Sequence, residues 1–244
     1  MNSKFLLLWF EAPLQSWGAD SRFGRRDTLD FPTKSGVLGL LCSALGAGGA
    51  QRELLAEMAP LKQTVLSFRN TVPLPDGNRQ TIDRNPLLRD FHMVGSGYDE
   101  SDPWQDLMIP KKNNGERAVG GGTKITYRFY LQDATFAIVL EAPSSKAEKF
   151  SEALQNPYWD LFLGRKCCAP VDFVFRGLYD DEYEALQKAR SIAEDKNLAE
   201  AFMVVDGKRE GESIVLNDVP VQFGQVKRYQ ERFVTVIMTD EDEQ

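Results

Sequence analysis

The apolar runs of this 244-residue chain predict an α+β fold, with a larger first part followed by a smaller, mostly β part. Three observations lead to this fold class. Short apolar runs are typical of strands, stretches with a helical period lie between them, and the runs after residue 156 are shorter. Hydrophobic residues make up 42% of the sequence, which is enough for a packed core and excludes a disordered chain.

The first part begins with an apolar run at residues 4–10, which we interpret as a central strand covered on both faces. Residues 33–46 then have a helical period, and Thr33 or Ser35 can cap that helix. Gly36 on its first turn indicates close approach of another backbone or of a ligand, with tight packing of the helix on the sheet as the alternative.

The remaining elements of the first part complete a recognisable order. Strands are predicted at residues 64–71, 124–131 and 134–141, and helices at residues 51–58 and 144–154. A turn at Gln132 and Asp133 separates the last two strands, and Ser144 or Ser145 caps the last helix. The order strand, helix, strand, insertion, strand, strand, helix fits a ferredoxin-like sheet with helices on one face.

The insertion covers residues 73–122, which are rich in Pro, Gly, Asn, Asp and Arg and have no sustained apolar period. A structureless loop of that length is improbable inside a compact domain, so we expect a protruding arm or hairpin. Residues 115–124 superficially resemble a phosphate-binding loop. Their Gly and Lys stand in the wrong order and a strand follows, which favours a simple turn.

The second part has shorter elements. Strands are predicted at residues 171–179, 202–205, 213–216 and 233–238, and a polar helix at residues 181–193. We therefore divide the chain into a domain at residues 1–156, a smaller mostly β region at 157–239 and an acidic tail at 240–244.

The charge is unevenly distributed. The formal net charge is −7, but the tail alone contributes four acidic residues. Residues 22–34 hold four bases against two acids, and residues 111–128 hold five against one. Locally basic surface of this kind can bind a polyanion although the whole chain is acidic.

Residue types that support familiar catalysis are scarce. The sequence has one histidine, His92, and lacks the spacings of metal hydrolases and of Ser or Cys triads. His92 could act as a general base in metal-independent RNA cleavage. The simpler interpretation is that His92 is a surface or contact residue of the arm. We expect neither a metal nor a cofactor.

Cysteine use and hydropathy predict a cytoplasmic chain. Cys42, Cys167 and Cys168 are odd in number and have no zinc-ligand spacing, so we interpret them as reduced thiols. The N-terminal apolar run is too short for a signal peptide or for a membrane span of about 20 residues. We expect no membrane partner.

Basic and aromatic residues recur beside glycine-rich turns, and together they indicate RNA binding. Such residues supply phosphate partners and flat faces on which single-stranded bases stack. They are Trp17, Arg22, Phe23, Arg25, Arg26, Lys34, Arg89, Phe91, His92, Arg165 and Lys166. In addition, Gly164 directly precedes two of these cations, so backbone N–H groups and side-chain charge can meet one phosphate there.

Five segments in collinear order give the chain a family resemblance. They are residues 12–18, 31–41, 88–94, 127–136 and 162–168. Together they resemble CasD-type subunits of type I-E CRISPR Cascade complexes, in the RAMP superfamily of RNA-binding proteins. The resemblance implies an RRM/RAMP-like ferredoxin-like domain with a long thumb hairpin at about residues 78–124. It also implies a role in antiviral defence, in which the subunit binds and caps the 5′ handle of the CRISPR RNA.

The resemblance further implies partners and site residues. The thumb would contact a backbone subunit of the complex and the body its large subunit, with target DNA met only indirectly. Residues that fall in the matching segments are Gln15, Trp17, Lys34, Ser35, Gly36, Arg89, His92, Arg165 and Lys166, to which the charge pattern adds Arg25 and Arg26. The helix that begins near Thr33 would offer its free N–H groups to a phosphate.

Two departures from the family pattern affect the functional interpretation. Residues 98–122 form a longer stretch than the pattern has, which affects the reach of the thumb. Related subunits that cut precursor RNA carry adjacent Lys and His residues, and this sequence has no such pair. The sequence therefore predicts a non-catalytic RNA-binding subunit. A metal-independent endoribonuclease that processes precursor CRISPR RNA and an unrelated ferredoxin-like enzyme acting on small molecules are the alternatives.

Overall fold

The computed structural model describes residues 3–18, 24–94, 101–104, 111–112, 114–116 and 124–239. These residues form ten strands and four helices around one large, mainly antiparallel sheet, so the predicted mixture of α and β structure is confirmed. The strands are β1 Ser3–Gln15, β2 Arg25–Arg26, β3 Gln63–Pro73, β4 Arg79–Thr81, β5 Leu88–Val94, β6 Lys124–Pro143, β7 Phe175–Tyr179, β8 Leu198–Asp206, β9 Glu212–Gln222 and β10 Arg228–Met238. The helices are α1 Lys34–Ala44, α2 Arg52–Met58, α3 Ser144–Gln155 and α4 Glu182–Asp195.

The strand order of the sheet is β7-β1-β6-β3-β8-β10-β9, with β4 attached to β3 and with β2 and β5 attached to β6. Neighbours along the main path are antiparallel, and β2 runs parallel to β6. The strands β8, β9 and β10 extend the same sheet beyond β3.

The sheet is covered on both faces, as the apolar run in β1 predicts. Leu6, Leu8 and Phe10 belong to the core beneath α1, α2 and α3. Leu7 and Trp9 belong to a second core beneath α4. Because side chains alternate along a strand, the two sets lie on opposite faces of the sheet.

Of the two helix caps predicted from the sequence, one agrees with the structure and one does not. The hydroxyl of Thr33 caps α1 by accepting from the Gly36 N–H at 3.2 Å, as predicted. Asp181 caps α4 in the same way through the N–H of Glu184. The predicted serine cap of α3 is wrong, because the N-cap position is occupied by Pro143, which has no side-chain acceptor.

The turn predicted at Gln132 and Asp133 is also wrong. The strand β6 continues through both residues for 20 residues in all, and Asp133 accommodates this with a φ of +48°. On either side the pairing with β1 is maintained, between Leu14 and Gln132 and between Ala12 and Ala134. Long-range pairing therefore outweighs the local turn preference of this dipeptide.

The predicted arm begins as a hairpin in which β5 pairs with the first half of β6, from Leu88 opposite Tyr130 to Val94 opposite Lys124. Residues 98–122 lie mostly outside the described residues, and the acidic tail at 240–244 lies wholly outside them. Arg84 fixes the base of the arm by donating to the Asp30 carbonyl and the Ser67 hydroxyl and by packing over Phe136 at 4.7 Å. Burial lowers the pKa of the Arg84 guanidinium to about 10.

Within the described ranges, no helix is long and apolar enough to cross a membrane. The same residues contain no group of three or more His, Cys, Asp or Glu side chains that could hold a metal ion. The three cysteines carry free thiols.

Candidate functional site

A cleft of about 550 Å³ opens where the first turn of α1 meets the loop at residues 162–168 and the connection between β9 and β10. Three segments that are far apart in the sequence form its walls, and they contribute Trp17, Gly36 and Lys166. Each lies in one of the five segments that carry the family resemblance. Folding therefore brings together residues that the sequence separates by up to 149 positions.

Gln15 and Trp17 reach this region as buried side chains. The Trp17 ring is 1% exposed and stacks on Phe10 with 5.4 Å between ring centroids. Its indole N–H donates to the Gln15 side-chain oxygen, and the Gln15 amide donates in turn to the Ala134 carbonyl. Trp17 lines the cleft and Gln15 supports it from behind, and the expectation that Trp17 offers a face to an RNA base is corrected by its burial.

Gly36 is required by this packing. A Cβ atom at position 36 would lie 2.8 Å from the Trp17 ring, which is closer than carbon atoms approach without displacement. Tight packing of α1 therefore accounts for the glycine, and Gly36 and Ser35 also line the cleft.

Lys34 does not face the cleft. Its side chain is 2% exposed, and its ammonium donates to the Leu61 carbonyl and lies 3.5 Å from a carboxylate oxygen of Asp206. Burial lowers the pKa of this ammonium, an effect that Asp206 partly opposes. The expectation that Lys34 neutralises an RNA phosphate is corrected, because its charge is enclosed in a protein ion-pair network.

The N-terminus of α1 is similarly occupied. The N–H of Lys34 donates to the Asp218 carboxylate at 2.7 Å, and the N–H groups of Gly36 and Val37 donate to Thr33. Asp218 thus already places a negative charge at the positive end of the helix dipole. The prediction that this end offers free N–H groups to a phosphate is wrong for these three groups.

The loop at residues 162–168 presents the cations predicted for it. Gly164 has a φ of +99°, and its backbone packs against the Ser16 carbonyl so closely that a Cβ would lie 1.9 Å from that oxygen. Two residues later, Lys166 lines the cleft and is exposed. Arg165 turns the other way, over the Tyr130 ring at 4.7 Å, and donates to the Arg26 carbonyl at 3.0 Å.

Arg25 and Arg26 extend the positive charge beside β6. Both are exposed and pair with Tyr127 and Arg128 in the sheet. The Arg25 guanidinium packs over Phe129 at 4.8 Å and forms an ion pair with Asp27. The structure thus places Arg25, Arg26 and Arg165 along one stretch of β6 next to the cleft.

Arg89 and His92 lie farther along the hairpin, and strand alternation puts them on opposite faces. Arg89 packs over Tyr127 at 5.8 Å, on the face that also exposes Phe91 and Met93. His92 is 41% exposed, and its Nδ1 lies 3.8 Å from the Asp90 carboxylate. The structure does not bring these two residues together. The predicted Arg22 and Phe23 lie outside the described residues.

Several residues that line the cleft were missed by the sequence analysis. They are Trp159, Phe162, Phe223, Lys227 and Tyr229. For the last two a signal existed, because a basic and aromatic run occupies residues 227–229 and is of the same kind as the runs singled out in the first half. Trp159 and Phe162 have no basic residue directly beside them, and Phe223 is an isolated aromatic residue, which is also typical of a core.

Comparisons with known proteins agree with the resemblance given by the five segments. A family model described as CRISPR-associated protein (Cas_Cas5) matches residues 5–235. The CRISPR system Cascade subunit CasD of Escherichia coli (strain K12) is 30% identical over 177 residues, which are 71% of this chain and 70% of that protein.

Two solved structures are similar over nearly the whole chain. A chain of a CRISPR RNA-guided surveillance complex matches with a TM-score of 0.67 and 28% identity, over 96% of this chain and 90% of that chain. A crystal structure of a Cas protein matches with a TM-score of 0.53 and 25% identity, over 97% and 96% of the two chains. The chain belongs to the Cas5 family of CRISPR-associated proteins.

Proposed function

We propose that this chain is a non-catalytic, RNA-binding subunit of a Cascade surveillance complex and that it binds and caps the 5′ handle of the CRISPR RNA. The observation that carries the proposal is the convergence of three family segments on one cleft, with Lys166 and Lys227 in its lining. The relatives support the setting, since one is named as a Cascade subunit and another is part of an RNA-guided surveillance complex.

The chemistry of the cleft suits a short stretch of single-stranded RNA. The ammonium groups of Lys166 and Lys227 supply partners for phosphates, and Trp159, Phe223 and Tyr229 supply ring faces for unstacked bases. The volume of about 550 Å³ accommodates one or two nucleotides rather than a duplex.

Arg165 continues this path beyond the cleft. Its Nη1 is buried and has no hydrogen-bond partner among the described residues, although Nη2 donates to Arg26. The side chain as a whole is half-buried, so the accessible part of its guanidinium can donate a charge-assisted bond to a phosphate oxygen. Together with the exposed Arg25 and Arg26, Arg165 marks the side on which the RNA strand would leave the cleft.

The RNA interface is tested by titrating labelled CRISPR repeat RNA with the full chain at several salt concentrations, beside a scrambled RNA. Lys166→Ala and Arg165→Ala should each weaken binding by about 1 kcal/mol or more and lower the salt slope by about one counterion. Lys188→Ala is the matched control, because Lys188 is an exposed lysine on α4, across the sheet from the cleft. Equal affinities and slopes for all three variants would refute the placement.

The hairpin of β5 and β6 is proposed to contact a backbone subunit of the complex. One of its faces exposes Phe91, Met93, Ile125 and Tyr127, each at least 42% exposed, and Arg89 lies beside them. A contiguous apolar patch on a monomer is typical of a protein interface. In co-expression with the other subunits, Phe91→Ser should reduce assembly without changing the melting temperature of the isolated chain. Unchanged assembly would contradict this contact.

The large subunit of the complex is a further proposed partner of this chain, and the target DNA is a partner only indirectly, through the complex.

The non-catalytic assignment is tested on the same RNA. With His92 as the sole histidine of the sequence and Asp90 beside it, no second imidazole can share acid and base work. Incubation of repeat RNA with the chain in EDTA should leave the RNA intact on a denaturing gel. A defined cut that His92→Ala abolishes would instead establish the endoribonuclease.

We also propose the ferredoxin-like description for the first part of the chain. The order β7-β1-β6-β3, with α1 following β1 and α3 preceding β7, supports it. The division at residue 156 stays a prediction, which limited proteolysis between residues 156 and 175 would test.

A further inference from the structure

Two adjacent cysteines in the loop at residues 162–168 have very different surroundings. Cys167 is exposed, whereas Cys168 is 1% exposed and belongs to the core beneath α1. Their sulfur atoms are only 3.9 Å apart. Neither thiol takes part in the proposed RNA contacts, so the pair is a chemically reactive feature that the function leaves unused.

The pair is mechanically connected to the Arg165 contact. The Cys167 thiol donates to the Tyr130 hydroxyl, with 3.6 Å between the two atoms, and Tyr130 is the ring on which Arg165 packs. The loop is closed by two backbone bonds of 2.8 Å, from the Leu163 N–H to the Cys168 carbonyl and from the Cys168 N–H to the Arg165 carbonyl. A change in the position of either sulfur therefore acts on the backbone and on the ring that hold Arg165.

We propose that Cys167 and Cys168 form an oxidisable dithiol site, which peroxides convert to a vicinal disulfide that displaces Arg165 from Tyr130. Formation of the disulfide stands on the thiol geometry alone. Its effect on RNA rests on the proposed function, because Arg165 is there an RNA contact.

The chemistry proceeds in two balanced steps. The Cys167 thiolate attacks one peroxide oxygen, the O–O bond breaks, and hydroxide leaves, which gives a sulfenic acid on Cys167. The Cys168 sulfur then attacks the Cys167 sulfur, the S–O bond breaks, and the hydroxyl group leaves as water with the Cys168 proton. In sum, the two thiols lose two electrons and two protons, and one hydrogen peroxide takes them up to give two waters: hydroxide with the Cys167 proton, and the hydroxyl group with the Cys168 proton.

Exposure assigns the order of the two cysteines. Cys167 is the thiol that an oxidant in solution can reach. Burial raises the pKa of the Cys168 thiol to about 12, so this thiol stays protonated at neutral pH and enters only in the second step. Cys42 is buried as well, and burial raises the pKa of its thiol to about 11.

Closing the bond requires movement of the loop. The sulfur atoms must approach from 3.9 Å to about 2.0 Å, and adjacent residues bring their Cα atoms closer than most disulfides have them. Such a strained and surface-accessible disulfide is readily reduced, which makes the site reversible. The same movement withdraws the Cys167 thiol from the Tyr130 hydroxyl and so changes the position of the ring on which Arg165 packs.

The disulfide is tested with the purified full chain treated with hydrogen peroxide, alkylated and weighed intact. The wild type and Cys42→Ser should each yield a monomer that is lighter by two hydrogen atoms and has lost two alkylatable thiols, and dithiothreitol should restore both. Peptide mapping should place the bond between Cys167 and Cys168. Cys167→Ser and Cys168→Ala should yield no such monomer. Since Cys167 is exposed, its serine variant keeps the test decisive even if the core variant fails to fold.

Accumulation of sulfinic acid on Cys167 without the lighter monomer would overturn the proposal, as would the same lighter monomer in Cys167→Ser.

The effect on RNA is measured separately, by titrating repeat RNA with the reduced and the oxidised chain. Oxidised wild type should bind several-fold more weakly, with recovery in dithiothreitol, and Cys167→Ser should not respond to peroxide. Equal binding by the two forms would overturn the displacement of Arg165. Absence of binding by the reduced chain would contradict the proposed function, while the mass measurement would still decide the disulfide.

Discussion

Replacement of Asp218 by alanine tests how the C-terminal strands hold the first turn of α1. The Asp218 carboxylate is 1% exposed and accepts three hydrogen bonds, from the Lys34 N–H at 2.7 Å and from the Arg232 guanidinium at 2.7 and 2.8 Å. Removal of one member of a buried pair costs about 3–5 kcal/mol because it leaves the other charge uncompensated. Arg232 keeps Asp206 as a partner, so we expect the lower end, about 3 kcal/mol.

That loss would be measurable by urea denaturation and by calorimetry. At about 2–4 °C for each kcal/mol in a chain of this size, the melting temperature should fall by about 6–12 °C. Asp218→Asn should lose less, because it retains a carbonyl acceptor of the same shape. In the double variant Asp218→Ala/Arg232→Met, the uncompensated guanidinium is gone, and the total loss should be smaller than the sum of the single losses by about 2 kcal/mol.

The reasoning would be refuted by a loss below about 1 kcal/mol for Asp218→Ala, or by additive effects in the double variant. RNA binding by the folded Asp218→Ala chain supplies a second readout. Asp218 holds the first turn of α1, which lines the cleft, but does not line the cleft itself. Its removal should therefore change the affinity for RNA through the position of α1. The salt slope should stay the same, because the number of cations that meet phosphates does not change.

Three further substitutions test other contacts. Gly164→Ala should lower the free energy of unfolding by about 3 kcal/mol or more, because it adds a clash with the Ser16 carbonyl to an unfavourable φ. Gly207→Ala is the control, since Gly207 has a similar φ of +91° but open space around it, and it should lose only about 1–2 kcal/mol. Equal denaturation midpoints for the two variants would argue against the clash. Arg84→Lys should lower the free energy of unfolding by about 2 kcal/mol in the same assay, because a lysine ammonium cannot bridge the Asp30 carbonyl and the Ser67 hydroxyl as the guanidinium does. An unchanged denaturation midpoint would mean that the forked guanidinium is not needed there. Arg26→Ala should leave stability within about 0.5 kcal/mol and lower the salt slope of RNA binding, whereas a change in stability alone would assign Arg26 to the fold.

Local signals identified most of the elements. The cap at Thr33 and the period that follows it predicted α1, because both depend on residues within one turn of each other. The alternation of β1 between two cores also follows from a short run of apolar residues. Asp133 shows the limit of such signals, since its turn preference is overridden by a pairing with a strand about 120 residues away.

The candidate site was less predictable for the same reason. A lysine beside a helix start is typical of an anion site, and nothing near Lys34 in the sequence indicates that Asp206 and Asp218 enclose it. Gly164 and Lys166 were predictable because the glycine and the cation are neighbours. Trp159 and Phe223 reach the cleft only through tertiary packing, which no local pattern contains.

The length of β6 has a consequence for the evolution of the hairpin. Its C-terminal part pairs with β1 and β3 in the core, and its N-terminal part pairs with β2 and β5 outside it. A deletion of one residue in the middle of β6 would exchange inward and outward side chains in one of the two halves, because alternation has a period of two. A change of length between β5 and β6 shifts neither register, so we expect insertions and deletions to be tolerated there better than within β6. Variation in reach among relatives is expected there, while the direction in which the hairpin leaves the body is inherited with the core.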